Sequence, residues 1–272
     1  MEGNPTFAHM RDQGQVRAKK HLGQHFLKDE GVAERIAKVT PLDGVHKVLE
    51  IGPGMGVMTK YLLAMPDVET WVIEIDGESV SYLQAHYNQL SARILETDFL
   101  QWNPASVFGD EPFALVGNFP YNISSQIVFR VLDMRDQIPA FGGMFQKEVA
   151  QRLCAPPGSK TYGILSVLCQ AYYDLTYDFT VPPSVFNPPP KVDSGVMHMV
   201  RKSVDPTIDF KMLKRGVKAA FGQRRKTLRN ALKTLNLPEG FEHPYLSKRA
   251  EQLSHTEFVE LLTAIEDGRN EH

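Results

Sequence analysis

Cysteine is scarce in this sequence, which has only Cys154 and Cys169 in 272 residues. Without a C-x-x-C pair they exclude a disulfide scaffold and a zinc site built on paired thiolates, and no metal is expected. Long hydrophobic runs are also missing. None approaches the roughly 18 to 20 apolar residues of a membrane-spanning helix, and the N-terminus has no apolar signal-peptide core. These absences predict a cytoplasmic protein with no membrane partner.

The sequence has little excess charge, since its formal net charge is −2 at pH 7. A protein that binds phosphates usually carries a basic surplus, but here the average hides an uneven distribution. Residues 201–233 contain eleven Lys and Arg against two Asp and Glu, and a smaller basic stretch lies at 17–28. The two stretches together favour an anionic partner over a merely solvated surface.

Short β-branched runs alternate with helical patterns in the first two-thirds of the chain. Strands are predicted at 47–51, 70–75, 92–97, 113–117 and 141–145, with helices at 57–64 and 79–90. This alternation predicts an α/β fold, a Rossmann-like parallel sheet with helices on both faces and ligands beyond the carboxyl ends of the strands. A helix at 163–170, then strands at 171–180 and 195–201, predict an antiparallel pair at the sheet edge.

The pattern becomes purely helical after residue 205. Helices are predicted at 210–221, 225–235 and 256–265. The sequence therefore divides into an irregular leader at 1–16, the α/β domain at 17–204 and a small all-α domain at 205–272. No heptad pattern or apolar helix face requires a second subunit, so a monomer is expected.

The first predicted strand runs into residues 50–56, EIGPGMG. Gly52 and Gly54 let the chain turn tightly and approach a ligand, but GxGxG differs from the dinucleotide pattern GxGxxG and disfavours a pyrophosphate. Glu74 ends the second strand, where a carboxylate can accept both ribose hydroxyls. Asp98 follows the third strand and can bind an adenine amino group, while Phe99 covers the ring. Acids at three successive strand ends predict a nucleoside cofactor.

The fourth predicted strand ends in Asn118-Phe119-Pro120-Tyr121, which resembles the [N/D]-x-P-[Y/F/W] motif of amino-methyltransferases. An exocyclic amine is a poor nucleophile because its lone pair is delocalised into the purine ring. The Asn118 side-chain oxygen and a carbonyl near Pro120 can accept its two N–H groups and draw the nitrogen toward sp³ character. Tyr121 offers a face for stacking the target base, worth roughly 1–3 kcal/mol, once that base is unstacked.

With these motifs the chain resembles the rRNA adenine N6-dimethyltransferase family, and within it the bacterial small-subunit subgroup, over nearly its full length. The further matching segments are 20–27 (KHLGQHFL), 146–152 (QKEVAQR), 185–194 (VFNPPPKVDS), 221–230 (FGQRRKTLRN) and 249–254 (RAEQLS). The resemblance implies that Gln24, His25 and Leu27 contribute to the cofactor pocket together with Asn118. It also implies that Phe186 faces Tyr121 across the target base.

The implied reaction transfers two methyl groups from S-adenosylmethionine to N6 of each of two adjacent adenosines. These adenosines lie in the hairpin loop near the 3′ end of small-subunit rRNA, and the implied partner is this rRNA within a pre-ribosomal small subunit. The basic residues Arg224, Arg225, Lys226 and Arg229 would contact its phosphates.

Two residues depart from the family's common pattern. His25 stands where many relatives carry Asn, and because it can gain a proton near neutral pH we expect cofactor affinity to depend on pH. Phe119 stands where Leu is common, and we expect it to pack into the wall of the site without changing the chemistry.

Four other functions stay open at the level of sequence. The erythromycin-resistance class dimethylates large-subunit rRNA, although segments 221–230 and 249–254 point away from it. A DNA amino-methyltransferase is disfavoured because no recognition insert interrupts the α/β domain. A ribosome-assembly or transcription factor with secondary catalysis would depend on Arg224 and Arg225 rather than on Asn118. An NAD enzyme fits the glycine spacing poorly.

Overall fold

A seven-stranded sheet lies at the centre of this computed structural model, which describes residues 16–270. Its strands are β2 (Lys47–Ile51), β3 (Glu69–Glu74), β4 (Ile94–Glu96), β5 (Ala114–Asn118), β6 (Ala140–Gln146), β7 (Tyr173–Val181) and β9 (Ser194–Arg201). A separate two-stranded ribbon pairs β1 (Phe26–Leu27) with β8 (Phe186–Asn187). The predicted leader at 1–16 lies, apart from Val16, outside the described residues.

The order across the sheet is β4-β3-β2-β5-β6-β9-β7. The first five strands in this order pair in parallel, and β9 is antiparallel to both of its neighbours. The predicted α/β class and the antiparallel pair at the edge are therefore confirmed. The order reverses between β2 and β5, and in such sheets the crevice at this switch point is where ligands bind.

The helices that the structure describes are α1 (Glu30–Ala37), α2 (Thr59–Leu63), α3 (Gly77–His86), α4 (Ser124–Asp133), α5 (Lys147–Leu153), α6 (Ile164–Tyr172), α7 (Phe210–Gly222), α8 (Leu228–Ala231) and α9 (His255–Asn270). Sequence patterns did not predict α1 and α4. The helix predicted at 225–235 is instead the short α8 followed by a 3₁₀ turn, which ends where Asn236 adopts a left-handed conformation.

Both faces of the sheet are covered. Because successive strand residues point to opposite faces, Val48 of β2 packs in a cluster with α1 and α2, whereas Leu49 packs in a cluster with α4 and α6. Phe210 of α7 and Phe258 of α9 belong to the same cluster as Leu49. The C-terminal helices thus share one continuous apolar core with the sheet, which limits motion between the two parts.

Across residues 16–270, no helix is long and apolar enough to cross a membrane. In the same range, no group of three or more His, Cys, Asp or Glu residues is arranged to hold a metal ion.

Candidate active site

A cavity of about 200 Å³ opens at the carboxyl ends of β2, β3, β4 and β5. Its lining consists of residues 21–26, Ile51, Gly52, Gly54, residues 73–75, residues 97–100 and residues 118–123. The strand ends supply most of the wall, and the segment before β1 closes it from the side. Four separate sequence motifs therefore meet in one place, as the parallel sheet requires.

The glycine turn after β2 has two different spatial requirements. Gly52 has φ +65° and a Cβ there would meet nothing within 4 Å, so the backbone lies bare against the cavity. Gly54 has φ +56° and its Cβ would lie 2.9 Å from the ring of Phe26. Gly52 therefore keeps the cavity open, and Gly54 lets Phe26 at the start of β1 pack closely.

Glu74 lies at the cavity wall with only 5% of its surface exposed. Its Oε1 accepts the N–H groups of Ile75 and Asp76, both at 2.9 Å, and its Oε2 accepts the N–H of Gly54 at 3.3 Å. Burial raises the pKa of this carboxyl, and the backbone hydrogen bonds only partly oppose the effect. Backbone donors thus fix its orientation and leave acceptor capacity toward the cavity.

The adjoining strand ends give the cavity an apolar floor beside a second acid. Asp98 lines it while accepting the N–H of Leu100 at 2.9 Å, and Phe99 is buried beneath. Ile75 also lines the cavity and is 54% exposed, an unusual position for a large aliphatic side chain. An exposed apolar surface next to fixed hydrogen-bond acceptors is suited to bind a flat heterocycle with polar edges.

No Lys or Arg is among the cavity-lining residues in the described part of the chain, whereas two carboxylates are. Such a lining disfavours a pyrophosphate and suits an uncharged or cationic nucleoside. The cavity therefore agrees with the GxGxG spacing in disfavouring NAD.

Asn118 ends β5 at the opposite wall. Its side chain lies 3.0 Å from the backbone oxygen of His25, and because a carbonyl oxygen cannot donate, the group facing it is the Nδ2 amide. The Oδ1 atom therefore points away from His25 and has no hydrogen-bond partner in residues 16–270. The segment before β1 thus sets the amide so that its acceptor is free at the cavity wall.

Tyr121 forms the outer wall next to Asn118. Its hydroxyl is 2.5 Å from the Oγ of Ser194, a residue with no exposed surface, and its ring centroid lies 5.6 Å from that of His25. Burial raises the pKa of the Tyr121 hydroxyl, so it is un-ionised at neutral pH. The ring is thus held in place by a hydrogen bond at its edge.

Phe186 does not lie where the resemblance placed it. Its antiparallel pairing with Leu27 turns it into the core with Val181 and Val196, where it is only 1% exposed and does not line the cavity. Among the described residues, the aromatic ring that packs beside Tyr121 is that of His25 instead. Leu27 is likewise a core residue and borders only a smaller cavity of about 50 Å³ behind Gly52.

Gln24 and His25 do line the cavity, but their side chains bind protein groups. Gln24 donates to Asp76 at 3.2 Å, and Nδ1 of His25 donates to the carbonyl oxygen of Pro188 at 2.8 Å. The expected dependence of cofactor affinity on His25 protonation stays a prediction.

Phe119 packs into the wall, as predicted. It is 1% exposed, and its ring stacks on Phe141 at 5.0 Å and meets Phe145 at 4.7 Å. The ring also covers Gly117 and Gly143, where an added Cβ would lie 2.7 Å from it. The glycines of this cross-strand pair therefore make room for the ring of Phe119.

The four predicted RNA-contacting residues differ in their surroundings. Arg224 donates to the carbonyl oxygen of Lys160 at 3.0 Å, and Arg229 pairs with Glu242. The side chains of Arg225 and Lys226 are exposed, and neither side chain makes a hydrogen bond or ion pair with another described residue. Two of the four side chains are therefore directly accessible to an anion.

Sequence reasoning gave no role to Asp76 or Ser194, and it counted Glu50 only as one of three acids at strand ends. Glu50 is 1% exposed and its Oε2 accepts the hydroxyl of Thr59 at 2.6 Å. Asp76 binds Lys19 and Gln24, and Ser194 binds Tyr121. Asp76 precedes α3 as a helix N-cap would, and its contacts come from residues more than fifty positions away. Within the matching segment 146–152, Glu148 and Arg152 form an ion pair one helical turn apart, at 2.6 Å.

Comparison with known proteins gives consistent matches. The family model described as ribosomal RNA adenine dimethylase matches residues 15–266. The "Ribosomal RNA small subunit methyltransferase A" of Flavobacterium johnsoniae is 60% identical over 93% of this chain and 98% of that protein. A crystal structure of a dimethyladenosine transferase from Plasmodium falciparum has a TM-score of 0.74 and 26% identity, and covers 90% of this chain and 98% of that one.

A crystal structure of the 23S rRNA methyltransferase ErmE has a TM-score of 0.66 and 23% identity, and covers 89% of this chain and 99% of that one. At this identity the likeness concerns the fold alone, so it does not favour the erythromycin-resistance alternative. Because the family model and a 60% identical relative each span nearly the whole chain, the chain belongs to the ribosomal RNA adenine dimethylase family.

Proposed function

We propose that this protein dimethylates N6 of two adjacent adenosines in the hairpin loop near the 3′ end of small-subunit rRNA, with S-adenosylmethionine as methyl donor. It acts as a cytoplasmic monomer on a pre-ribosomal small subunit. The observation that carries the chemistry is the Asn118 amide, whose Nδ2 binds His25 so that Oδ1 stands free at the wall of the acidic cavity.

The residues present fit this cofactor. Glu74 is an oriented acceptor for ribose hydroxyls, Asp98 and Phe99 suit an adenine ring, and the bare backbone at Gly52 leaves room beside them. When bound, S-adenosylmethionine supplies a methyl group activated by a sulfonium cation. The carboxylates of the lining favour that positive charge, and no Lys or Arg of the described lining opposes it.

The chain's own groups position and activate the target amine. Oδ1 of Asn118 accepts one N–H, and the carbonyl oxygen of Pro120, which accepts the N–H of Ile123 at 3.2 Å, keeps a second lone pair for the other. These acceptors strengthen as positive charge develops on the nitrogen, so they stabilise the transition state more than the ground state. Tyr121 stacks on the base from outside, and the buried Phe186 supports β1 and the segment before it.

The RNA is held by the helical part, residues 205–272, and its methylation is performed by residues 17–204. Exposed Arg225 and Lys226 contact phosphates directly, and Arg224 and Arg229 reach them by exchanging their present partners. Because a hairpin loop offers unpaired bases that can leave the stack, it suits this site better than a regular helix.

The test uses unmodified small and large ribosomal subunits, each incubated with the protein and labelled S-adenosylmethionine. Nucleosides are then identified by mass spectrometry. We expect N6-dimethyladenosine in small-subunit rRNA alone. Label confined to large-subunit rRNA would move the assignment to the resistance class, and cofactor binding without any label would make an assembly factor the better description.

Two matched variants separate chemistry from binding. Asn118→Ala is expected to abolish methylation while subunit binding persists, and Asn103→Ala, at an exposed turn-capping asparagine, is the control. Reversing Arg225 and Lys226 to Glu is expected to weaken subunit binding and to lower its salt dependence by about one unit of slope for each lost phosphate contact. Arg93→Glu, at a partly exposed position outside the basic segment, controls for the charge change.

A further inference from the structure

Residues 19–27, here called the strap, precede the central sheet in the chain and form one side wall of the cavity. Residues 21–26 of the strap line the cavity, and Phe26 lies against the glycine turn at Gly54. The strap also reaches the far wall, since the Oδ1 of Asn122 fills the space beside Gly23. A ligand in the cavity is therefore enclosed only while the strap is in place.

The C-terminal end of the strap is held by backbone pairing. Phe26 and Leu27 pair with β8, and Lys28 donates its N–H to the carbonyl oxygen of Val185 at 2.9 Å. Asn118 adds a further bond to the carbonyl oxygen of His25. These contacts fix the end of the strap that lies next to the target-base side.

The N-terminal end is held differently, by a closed circuit of hydrogen bonds among Lys19, Gln24 and Asp76. The N–H of Lys19 donates to Oε1 of Gln24 at 2.7 Å, and Nε2 of Gln24 donates to Oδ2 of Asp76 at 3.2 Å. The ammonium group of Lys19 completes the circuit on Oδ1 of Asp76 at 2.5 Å. Two residues of the strap thus bind the same carboxylate, at the start of α3.

Asp76 is suited to hold the strap because its side chain has no exposed surface, whereas that of Lys19 is 31% exposed. It also accepts the N–H of Glu78 and the hydroxyl of Ser79, both at 3.2 Å. Burial by itself would oppose its ionisation, but the bonds from Lys19 and Gln24 outweigh burial and lower the pKa of Asp76. A fixed and buried acceptor therefore binds a donor that can leave to solvent.

We propose that Asp76 is a positioning residue which, through Lys19, keeps the strap closed over the cavity and thereby sets the affinity for the cofactor. Neither Asp76 nor Lys19 lines the cavity, so the Lys19 side chain reaches it only through the strap, whereas Asp76 also touches Glu74 through its backbone N–H. The proposal rests on the proposed function, because it takes the cavity as the site of S-adenosylmethionine.

The expected effect follows from the closed fraction of the strap. Apparent affinity equals intrinsic affinity multiplied by the fraction of molecules that can bind. If loss of the Lys19 ammonium lowers that fraction to about one tenth, the Kd and KM for S-adenosylmethionine rise about tenfold. The kcat stays within about twofold, because a bound cofactor holds the strap closed in every reacting complex.

The experiment compares wild type with Lys19→Met, Lys19→Arg and Asp76→Asn. The control is Lys38→Met, which breaks an ion pair to Glu34 that is also 2.5 Å long but lies on the exposed surface of α1. Titration calorimetry gives the Kd for S-adenosylmethionine, steady-state methylation gives KM and kcat, and amide hydrogen exchange without cofactor measures protection of residues 19–27.

We expect Lys19→Met to bind about tenfold more weakly and to exchange faster in the strap alone, Lys19→Arg to restore both, and Lys38→Met to change neither. An unchanged Kd together with unchanged strap protection in Lys19→Met would overturn the proposal. The proposal would also be overturned if Lys19→Met lost kcat and amide protection equally across the core, because that result indicates general destabilisation.

Asp76 also caps α3, so Asp76→Asn can fail to fold. In that case the result for Lys19→Met still tests the proposal. Absence of binding by wild type would refute the proposed function, and the exchange data would still test the strap.

Discussion

Replacing Glu50 by Gln tests whether the carboxyl at the base of the glycine turn is neutral in the folded protein. Glu50 is 1% exposed, and the hydroxyl of Thr59 is its hydrogen-bond donor at 2.6 Å. Burial, which outweighs that bond, raises the pKa of Glu50 to about 8, and the nearby Glu74 adds to the rise. Gln has the same shape, can still accept from Thr59, and carries no titratable proton.

The direction in which stability changes with pH follows from proton binding. Between the unfolded pKa near 4.5 and the folded pKa of about 8, the folded protein keeps a proton on Glu50 that the unfolded chain has released. Its contribution to stability is therefore fully present below pH 4.5 and is lost as the pH rises toward 8. At roughly 1.36 kcal/mol for each pKa unit, and with Glu50 half titrated at pH 8, the loss from pH 5 to pH 8 is about 3 to 4 kcal/mol.

The assay is urea unfolding of wild type and Glu50→Gln at pH 5, 6.5 and 8 without cofactor. The free energy of unfolding of Glu50→Gln minus that of wild type should increase by about 3 to 4 kcal/mol over this range, because other titrating groups cancel in the difference. Glu34→Gln, at an exposed ion pair, should show no comparable increase. A difference that stays constant within 1 kcal/mol would show that Glu50 is ionised when folded, and the reasoning from burial would be wrong.

Three further changes test core packing and the stacking role of Tyr121. Gly143→Ala should lower the free energy of unfolding in urea by about 3 kcal/mol or more, because the added Cβ would lie 2.1 Å from the carbonyl oxygen of Gly117. Its control, Gly222→Ala, has open space around the added Cβ and should raise the free energy of unfolding by up to about 1 kcal/mol. Tyr162→Phe should raise stability by about 1 kcal/mol, since its buried hydroxyl has no hydrogen-bond partner in residues 16–270, and a loss of stability would contradict this. Tyr121→Phe keeps the stacking face and should retain kcat/KM within a few-fold, whereas Tyr121→Ala should lose roughly 10- to 100-fold, and equal losses would refute a stacking role.

The sequence alone determined the class of fold and the location of the chemistry. Buried strands followed by GxGxG, Glu74, Asp98 and the motif at 118–121 predict acids and an amide at the carboxyl ends of parallel strands. The cavity that the structure describes is lined by these positions. Such predictions succeed because strand periodicity is local, and parallel topology then dictates that strand ends meet.

Only the tertiary structure decided which side chains face the cavity and which support it. Pairing with β1 buries Phe186 in the core, and the orientation of the Asn118 amide depends on a carbonyl 93 positions away. The contact between Lys19 and Asp76 joins two segments that no local pattern relates. Long-range contacts of this kind depend on how the strap folds over the sheet, and periodicity within a segment carries no information about its distant partners.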